Sequence, residues 1–233
     1  MGYNLAEHLY DDFIEKDRYM YIISGLGNTV LITIFALIIG VLLGVITAMI
    51  RVMYKQGSRG PVMSVLNVIA GIYLTIIRGT PTVVQLLISY FIILQNVDNG
   101  VIIAIIAFGV NSGAYVSEVF RSGIQSVDIG QTEAGRSLGL SRSQTMRKII
   151  LPQAIRNVAP AIFNEFITLL KETSVAGYVG IQDLTKGGDI IRSITLDPYP
   201  PLLLVAGIYL VLVVGMTQIL HVFERRIARK EAR

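Results

Sequence analysis

Long runs without a charged side chain constrain this sequence more than any other feature. The first run extends from Tyr19 to Ile50, between Arg18 and Arg51. A helix needs about 20 mostly apolar residues to cross a hydrocarbon core of about 30 Å, so this run is long enough to cross with a tilt. Only 15% of the 233 residues are charged, too few to cover a soluble globule of this size. The sequence therefore predicts a membrane protein.

Further apolar runs predict a polytopic all-α protein with one transmembrane domain over residues 1–233. Its five spans are expected at about 20–50, 64–95, 101–121, 153–174 and 200–223. Glycine at 40 and 44 forms a G-x-x-x-G packing face on the first span, and intrachain packing is favoured over contact with a sister chain.

The second span has two interpretations. We place its crossing helix at about Thr82 to Gln95, after an interfacial helix that carries Arg78, because the intervening Gly79, Thr80 and Pro81 can break a helix. Two spans joined at this turn are the alternative. The fourth span is less apolar and carries charged residues, so it is expected to line an interior rather than face lipid on every side.

The distribution of lysine and arginine predicts the orientation. With five spans the termini lie on opposite sides, and one side then carries thirteen lysines and arginines against five on the other. The basic side is normally cytoplasmic. We expect a multi-pass protein of the cell (inner or cytoplasmic) membrane with its N-terminus outside and its C-terminus in the cytoplasm.

Several chemistries are disfavoured. The chain has no cysteine, and its two histidines, His8 and His221, lie far apart, so no metal site is predicted. The basic residues are scattered over short loops rather than gathered in a stripe with aromatics, which argues against a nucleic-acid partner. No G-x(4)-G-K-[ST] phosphate loop is present, so no cofactor and no ATP hydrolysis are expected on this chain.

The segment between the third and fourth spans, residues 122–152, is called the coupling loop below. It predicts two short helices: Asp128 caps the first, Gly139 ends it, and Ser141 caps a second that runs to Ile150 before Pro152. Charge counting places this helical hairpin in the cytoplasm.

The coupling loop resembles the "EAA" loop of ABC-importer permeases, whose pattern is E-A-A-x(3)-G-x(9)-I-x-L-P. One position departs from it, because Gly135 stands where the family has alanine, and this glycine is expected to loosen the helix by about 1 kcal/mol. The matching positions, which the resemblance implies dock an ATPase subunit, are Glu133, Ala134, Gly135, Gly139, Ile149, Leu151 and Pro152.

Segments from Arg78 to Phe91, Asn111 to Gln125 and Asn164 to Thr185 are similar to the polar amino-acid subgroup of these permeases, and the resemblance covers about 20–225. It implies the fold of a type I importer permease like the methionine permease. It also implies two ATP-binding cassette subunits that hold ATP and Mg²⁺, a second permease chain, identical or different, and an external solute-binding protein. The implied activity is inward transport of an amino acid.

Polar side chains at membrane depth are candidates for the substrate path, because leaving them unpaired there costs several kcal/mol. Our hypothesis is that Asn164 and Glu165 meet the ammonium group or side chain of the substrate, and Lys171 its carboxylate. Inter-helix hydrogen bonds or a pair such as Arg78 with Glu118 explain them equally well. The candidates are Gln85, Asn111, Tyr115, Glu118, Asn164, Glu165, Thr168 and Lys171.

The sequence leaves open the type of amino acid and whether ATP or an ion gradient drives transport. Glu118 and Glu165 favour a basic amino acid such as arginine or histidine, and Lys171 counts against it. The alternative to the importer is an ion- or proton-coupled secondary amino-acid carrier that uses Glu118 and Glu165 as relay groups.

Overall fold

The computed structural model describes residues 10–57 and 59–231, which are almost entirely helical. Short helical turns at Tyr10–Ile14 and Glu15–Asp17 precede the first long helix. The α-helices are α1 (Tyr19–Lys55), α2 (Pro61–Gly79), α3 (Thr82–Ile88), α4 (Gly100–Gln125), α5 (Ile129–Ser137), α6 (Arg142–Thr145), α7 (Leu151–Glu172), α8 (Leu184–Thr195) and α9 (Tyr199–Glu231). Wide π-helical turns extend α3 over Ser89–Ile93 and α6 over Met146–Ile150, and a 3₁₀ helix, Thr173–Val179, follows α7.

This arrangement confirms the all-α polytopic fold. Four described helices are long and apolar enough to cross a membrane, namely α1, α2, α4 and residues 199–226 of α9. Helix α7 has 22 residues, which reach about 33 Å, but its charged and amide side chains lower its mean hydropathy and keep it out of that apolar set. The predicted exterior N-terminus, residues 1–9, lies outside the described residues.

The second predicted span, 64–95, is two helices rather than one. Helix α2 ends at Gly79, Thr80 is extended, and α3 begins after Pro81. Helix α2 meets the length of a span, whereas the helical segment Thr82–Ile93 is shorter than 18 residues. By length and composition α2 is the stronger candidate for the crossing, because the break at Thr80 and Pro81 leaves the longer apolar helix before the proline. The placement of the crossing helix at Thr82 to Gln95 stays a prediction.

The first of two compact units of the chain comprises Met1–Ala36, Thr82–Phe108 and Ile167–Gln218. Its apolar cluster joins the start of α1 to α8 and α9 through Phe13, Ile22, Leu184, Ile191 and Val205. The turn-forming residues of the segment 183–201 predict an external loop. Most of this segment is instead a helix, because the fully buried residues Leu184 and Ile191, seven positions apart, share one face of α8.

The N-terminus of α8 is fixed by hydrogen bonds. The buried Asp183 carboxylate accepts from the backbone N–H groups of Thr185 and Lys186, at 2.9 and 3.0 Å. Thr29 Oγ1 in α1 accepts from the backbone N–H of Leu184 at 3.0 Å. These bonds satisfy donors that a helix start leaves open, so α8 is anchored against α1.

The exposed side of α8 carries an ion-pair network. Asp189 accepts hydrogen bonds from Lys186 Nζ at 2.8 Å and from Arg192 Nε at 3.0 Å. These side-chain hydrogen bonds hold the pKa of the Asp189 carboxyl below its usual range, so this group is ionised at neutral pH.

The second compact unit comprises Leu37–Pro81, Gly109–Phe166 and Ile219–Arg233. Here α1 and α4 approach closely at the G-x-x-x-G face. A Cβ atom on Gly40 would lie 2.8 Å from Ser112 Oγ, and one on Gly44 would lie 2.5 Å from Val116 Cγ1. The intrachain packing predicted for these glycines is confirmed.

Replacing Gly187 in α8 by alanine is expected to destabilise the protein. The added Cβ would lie 2.4 Å from the backbone oxygen of Tyr21, which cannot rotate away. Overpacking of this kind costs about 1–3 kcal/mol, so the midpoint of thermal unfolding in detergent should fall by several degrees.

Gly207→Ala is the matched control, because a Cβ on Gly207 would meet no atom within 4 Å. Its midpoint should stay level or rise, since alanine favours a helix over glycine by about 1 kcal/mol. Equal midpoints for the two variants would contradict the packing of α8 on α1.

Candidate functional site

Helix α5 is the first helix that lies wholly within the coupling loop, and its two ends form as the sequence predicts. The Asp128 carboxylate accepts a hydrogen bond from the backbone N–H of Gly130 at 2.6 Å, which caps the first turn. After α5 ends at Ser137, Gly139 adopts a left-handed backbone with φ +78°, and its N–H donates to the Arg136 carbonyl. Glycine takes this conformation at little cost, so the position stops the helix.

Helix α6 also starts as predicted but does not stop as predicted. Ser141 Oγ accepts from the Gln144 N–H, and the Gln144 side chain accepts from the Ser141 N–H, a complete capping box. The helix was expected to end at Ile150, yet it continues through the π turn into α7. In that turn the Leu151 N–H donates to the Met146 carbonyl.

Pro152 is therefore the second residue of α7 rather than a terminator. A proline within a helix lacks one hydrogen-bond donor and crowds the preceding turn. The wide turn over Met146–Ile150 changes the register directly before the proline, which is the usual way a helix accommodates such a break. The outcome is one helical path from Arg142 to Glu172.

Gly135 is the point where α5 packs against this path. It is buried, and a Cβ added to it would lie 2.7 Å from Thr145 Cγ2 and 2.9 Å from Ile149 Cδ1. Thr145 is itself 1% exposed. The departure from the family's alanine therefore serves close contact between the two helices, and our expectation that it merely loosens α5 missed this role.

An apolar cluster anchors the coupling loop to the ends of the spans. Val52 of α1, Ile124 of α4, and Ile150 and Ala154 are buried together. Two hydrogen bonds reinforce it: Arg142 Nη1 donates to the Gln56 carbonyl at 2.8 Å, and Asn157 Nδ2 donates to Ser126 Oγ at 2.9 Å. The loop is thus fixed to α1, α4 and α7 at once.

The opposite side of α5 is open. Glu133 and Ala134 are exposed, and Leu138 is 79% exposed at the turn beside Gly139. A partner protein could bind this surface with a groove that has hydrogen-bond donors for the Glu133 carboxylate and apolar contacts for Leu138. Of the other predicted docking residues, Ile149 and Leu151 are half-buried and Pro152 is exposed. Sequence reasoning missed Leu138 and Thr145, which the motif treats as unspecified positions.

Among the polar residues of the spans, the second unit brings Glu165 of α7 and Ser112 of α4 together. Ser112 Oγ, fully buried, donates to Glu165 Oε1 at 2.8 Å. Asn164, the residue before Glu165, is exposed. Asn111, the residue before Ser112, is 2% exposed. A part-buried carboxylate next to an exposed amide offers two groups that can bind an ammonium or guanidinium.

A second polar group surrounds Glu118 of α4. Its carboxylate pairs with Arg121 one turn further on and with Arg78 of α2, whose Nη1 lies 3.8 Å from Oε2. The Arg78 guanidinium also lies 6.0 Å from the ring centre of Tyr115. The pairing of Arg78 with Glu118 considered from the sequence is confirmed, so Glu118 and Tyr115 serve at least as inter-helix contacts.

The remaining candidates, Gln85, Thr168 and Lys171, belong to the first compact unit. Gln85 and Thr168 are half-buried and Lys171 is exposed. A central cavity shared by all eight candidates stays a prediction. Among the described residues, no cluster of histidine, aspartate and glutamate has the geometry of a metal site.

The fold and the coupling loop together define a permease of the ATP-binding cassette importers. Residues 40–229 match the family of binding-protein-dependent transport system inner membrane components, and the chain belongs to this family. Membership does not favour the secondary-carrier alternative.

Relatives within the family narrow the class to amino-acid ABC transporter permeases. The chain is 36% identical, over 90% of its length and 94% of the relative, to the putative glutamine transport system permease protein GlnP of Rickettsia prowazekii. It is 35% identical to the arginine transport system permease protein ArtQ of Bacillus subtilis, over 89% of this chain and 92% of that one.

Solved structures agree. A crystal structure of an amino acid ABC transporter with histidines matches 97% of this chain and 100% of its own, with a TM-score of 0.83 and 38% identity. An inward-facing form of the methionine ABC transporter MetNI shares the fold at 19% identity, with a TM-score of 0.70 over 89% of this chain and 98% of that one. The fold is therefore that of a type I importer permease.

The contact at Gly135 predicts a rescue experiment. Gly135→Ala should lower the thermal midpoint and weaken ATPase co-purification, because the new methyl group meets Thr145 and Ile149 below 3 Å. Adding Thr145→Ser removes the Cγ2 methyl that lies nearest and should restore most of both losses.

Ala134→Ser is the control, since it adds one heavy atom to an exposed position of the same helix. It should leave the midpoint unchanged. If Gly135→Ala behaves like this control, the close packing of α5 on α6 does not matter for the loop.

Proposed function

We propose that this chain is the membrane-spanning subunit of an ATP-driven importer of a polar amino acid, which an external binding protein delivers. The observation that carries the proposal is the coupling loop: it is packed on one side through Gly135 and presents Glu133 and Leu138 on the other. Membership of the binding-protein-dependent transport family supports it.

ATP hydrolysis is assigned to a separate subunit. The sequence carries no phosphate-binding loop, so ATP and Mg²⁺ belong to the partner ATPase. Two ATPase subunits and a second permease chain, identical or different, complete the assembly by analogy with the class of transporter. In this assembly each coupling loop docks into one ATPase subunit.

The coupling loop is assigned to the cytoplasm and the N-terminus to the outside. The support is the excess of lysine and arginine in the segments between spans on the loop's side, together with the basic end of α9. An ATPase that uses cytoplasmic ATP can reach the loop only in this orientation.

The continuity of α6 with α7 provides the mechanical connection. A docked ATPase that displaces the coupling loop also displaces the start of α7, because no flexible linker separates them. Helix α7 carries Asn164 and Glu165, and Glu165 is hydrogen-bonded to α4 through Ser112. A rigid-body shift of the loop thus reaches the polar residues of the spans without a change in secondary structure.

The substrate is assigned as an amino acid with a polar or basic side chain. Relatives named for glutamine and arginine support the class, and the Asn164–Glu165 pair supplies groups for a substrate's cationic or amide end. The related permeases are named for different amino acids, so we assign the selection of the particular amino acid to the solute-binding protein.

Reversing the charge of Glu133 tests the docking role. Glu133→Arg places a cation where the partner groove is expected to offer donors and cations, so ATPase co-purification and ATP-driven uptake should fall at least about tenfold. Both are measured after co-expression with the ATPase subunit, with the thermal midpoint as the check on folding.

Asp98→Arg is the control, because it makes the same change at an exposed site outside the coupling loop. ATPase co-purification should be unaffected. Full ATPase binding by Glu133→Arg would overturn the assigned docking face.

Glu165→Gln and Asn164→Ala test the substrate path. Removing a carboxylate or amide that binds the substrate should raise the apparent substrate concentration for half-maximal uptake, by about tenfold if one charge-assisted hydrogen bond of about 1.5 kcal/mol is lost. The readout is uptake into proteoliposomes at a fixed concentration of binding protein.

Glu224→Gln removes a carboxylate from the exposed end of α9 and serves as the control. Unchanged half-saturation and unchanged preference among amino acids in both α7 variants would exclude them from the substrate path.

A further inference from the structure

A cleft of about 600 Å³ lies between the coupling loop and the ends of two spans. Its lining includes Lys55, the last residue of α1, and Gln125, the last residue of α4. The predicted first and third spans end at about residues 50 and 121, so Lys55 and Gln125 lie roughly 6–8 Å beyond the expected hydrocarbon core, on the side of the coupling loop. This placement matches the depth of lipid headgroups.

The rim of the cleft is basic. Lys55, Arg136 and Arg142 are among the lining residues and all three are exposed. None of the described residues that line the cleft is acidic. Each arginine uses Nη1 for a backbone carbonyl, Leu140 for Arg136 and Gln56 for Arg142. The guanidinium groups have five N–H donors each, so donors remain for an anion.

The floor of the cleft is apolar. Val52, Ile124 and Ile150 form it together with Met146 and Val127, and Ile129 stands at its edge with 75% of its surface exposed. The apolar floor and the basic rim match the two parts of an amphiphile, a hydrocarbon chain and an anionic head.

We propose that this cleft binds the headgroup of an anionic phospholipid of the cytoplasmic leaflet, with the start of its acyl chains against the apolar floor. Two observations select a lipid over a soluble anion: the position at the ends of α1 and α4, and the apolar floor. Basic pockets between spans at this face are suited to such headgroups.

A bound lipid would act on coupling. It would touch the coupling loop through Arg136 and Arg142 and the first span through Lys55, so its presence would stiffen the joint at which the ATPase pushes. The proposal rests on the cytoplasmic orientation given under the proposed function and goes beyond it, because neither the docking face nor the polar residues of the spans form the site.

The test uses the full-length chain in detergent with equal amounts of phosphatidylglycerol and phosphatidylcholine, and native mass spectrometry counts the lipids retained. The unsubstituted protein should retain phosphatidylglycerol preferentially. In the triple variant Lys55→Gln/Arg136→Gln/Arg142→Gln, the ratio of retained phosphatidylglycerol to retained phosphatidylcholine should fall at least about tenfold. The reason is that each basic residue near a lipid surface contributes a factor of roughly five.

The matched control is Arg147→Gln/Lys148→Gln/Arg156→Gln, which removes three exposed cations from the same region that do not line the cleft. It should keep the preference within about twofold. Thr132→Trp fills the cleft from an exposed position and leaves every cation in place, and it should lower retention of both lipids at this site.

Unchanged phosphatidylglycerol retention in the cleft variant, or an equal loss in the control, would overturn the proposal. Displacement of the lipid by equimolar glycerol 3-phosphate would assign the cleft to a free anion, and loss of the lipid on ATPase binding would assign it to the protein partner. Failure of the proposed function shows separately, as absent ATP-driven uptake by the unsubstituted protein.

Discussion

The contact of Gly135 with Thr145 and Ile149 decides the shape of the coupling loop. Because Gly135 has no side chain, α5 lies directly against the helical path that becomes α7. A Cβ atom on Gly135 would lie less than 3 Å from side-chain carbons of Thr145 and Ile149. The cluster around Val52 and Ile150 then fastens this pair of helices to α1 and α4. What remains exposed on α5 is therefore presented in one fixed orientation, as a docking element requires.

The same use of small residues recurs where other helices meet. Gly40 and Gly44 let α1 approach Ser112 and Val116 of α4, and Gly187 lets α8 touch the backbone of α1. In a bilayer, apolar side chains gain nothing by leaving lipid for another helix, so close van der Waals contact and hydrogen bonds must hold helices together. The hydrogen bonds of Ser112 with Glu165 and Thr29 with Leu184 supply the polar part.

Local chemistry made both ends of α5 and the start of α6 predictable. Asp128, Ser141 and Gly139 act through their own backbone neighbours, so each could be assigned from residues within four positions. The charge-free runs located α1, α4 and α9 for a similar reason: span length depends on the bilayer alone.

Features that depend on contacts with other helices, or on how a proline is accommodated, were not predictable in this way. Pro152 reads as a helix stop, and only the π turn before it allows α6 to continue into α7. The segment after Asp183 reads as a loop because the α1 surface that helps to bury Leu184 and Ile191 lies far away in sequence. The role of Gly135 depends on Thr145, ten residues later, at a position that the motif leaves unspecified. The second span kept two interpretations because the break at Pro81 does not show by itself which of the flanking helices, α2 or α3, crosses the membrane.

Site-directed cross-linking tests the docking role of the coupling loop most directly, and the chain is suited to it because it contains no cysteine. Leu138→Cys places a single thiol on the exposed side of the loop, and Asp98→Cys places one at an exposed site outside it. We predict that a short bifunctional reagent joins the Leu138→Cys permease to its ATPase subunit, with a yield that changes when ATP is added. Absence of this product, or an equal yield from Asp98→Cys, would contradict the account.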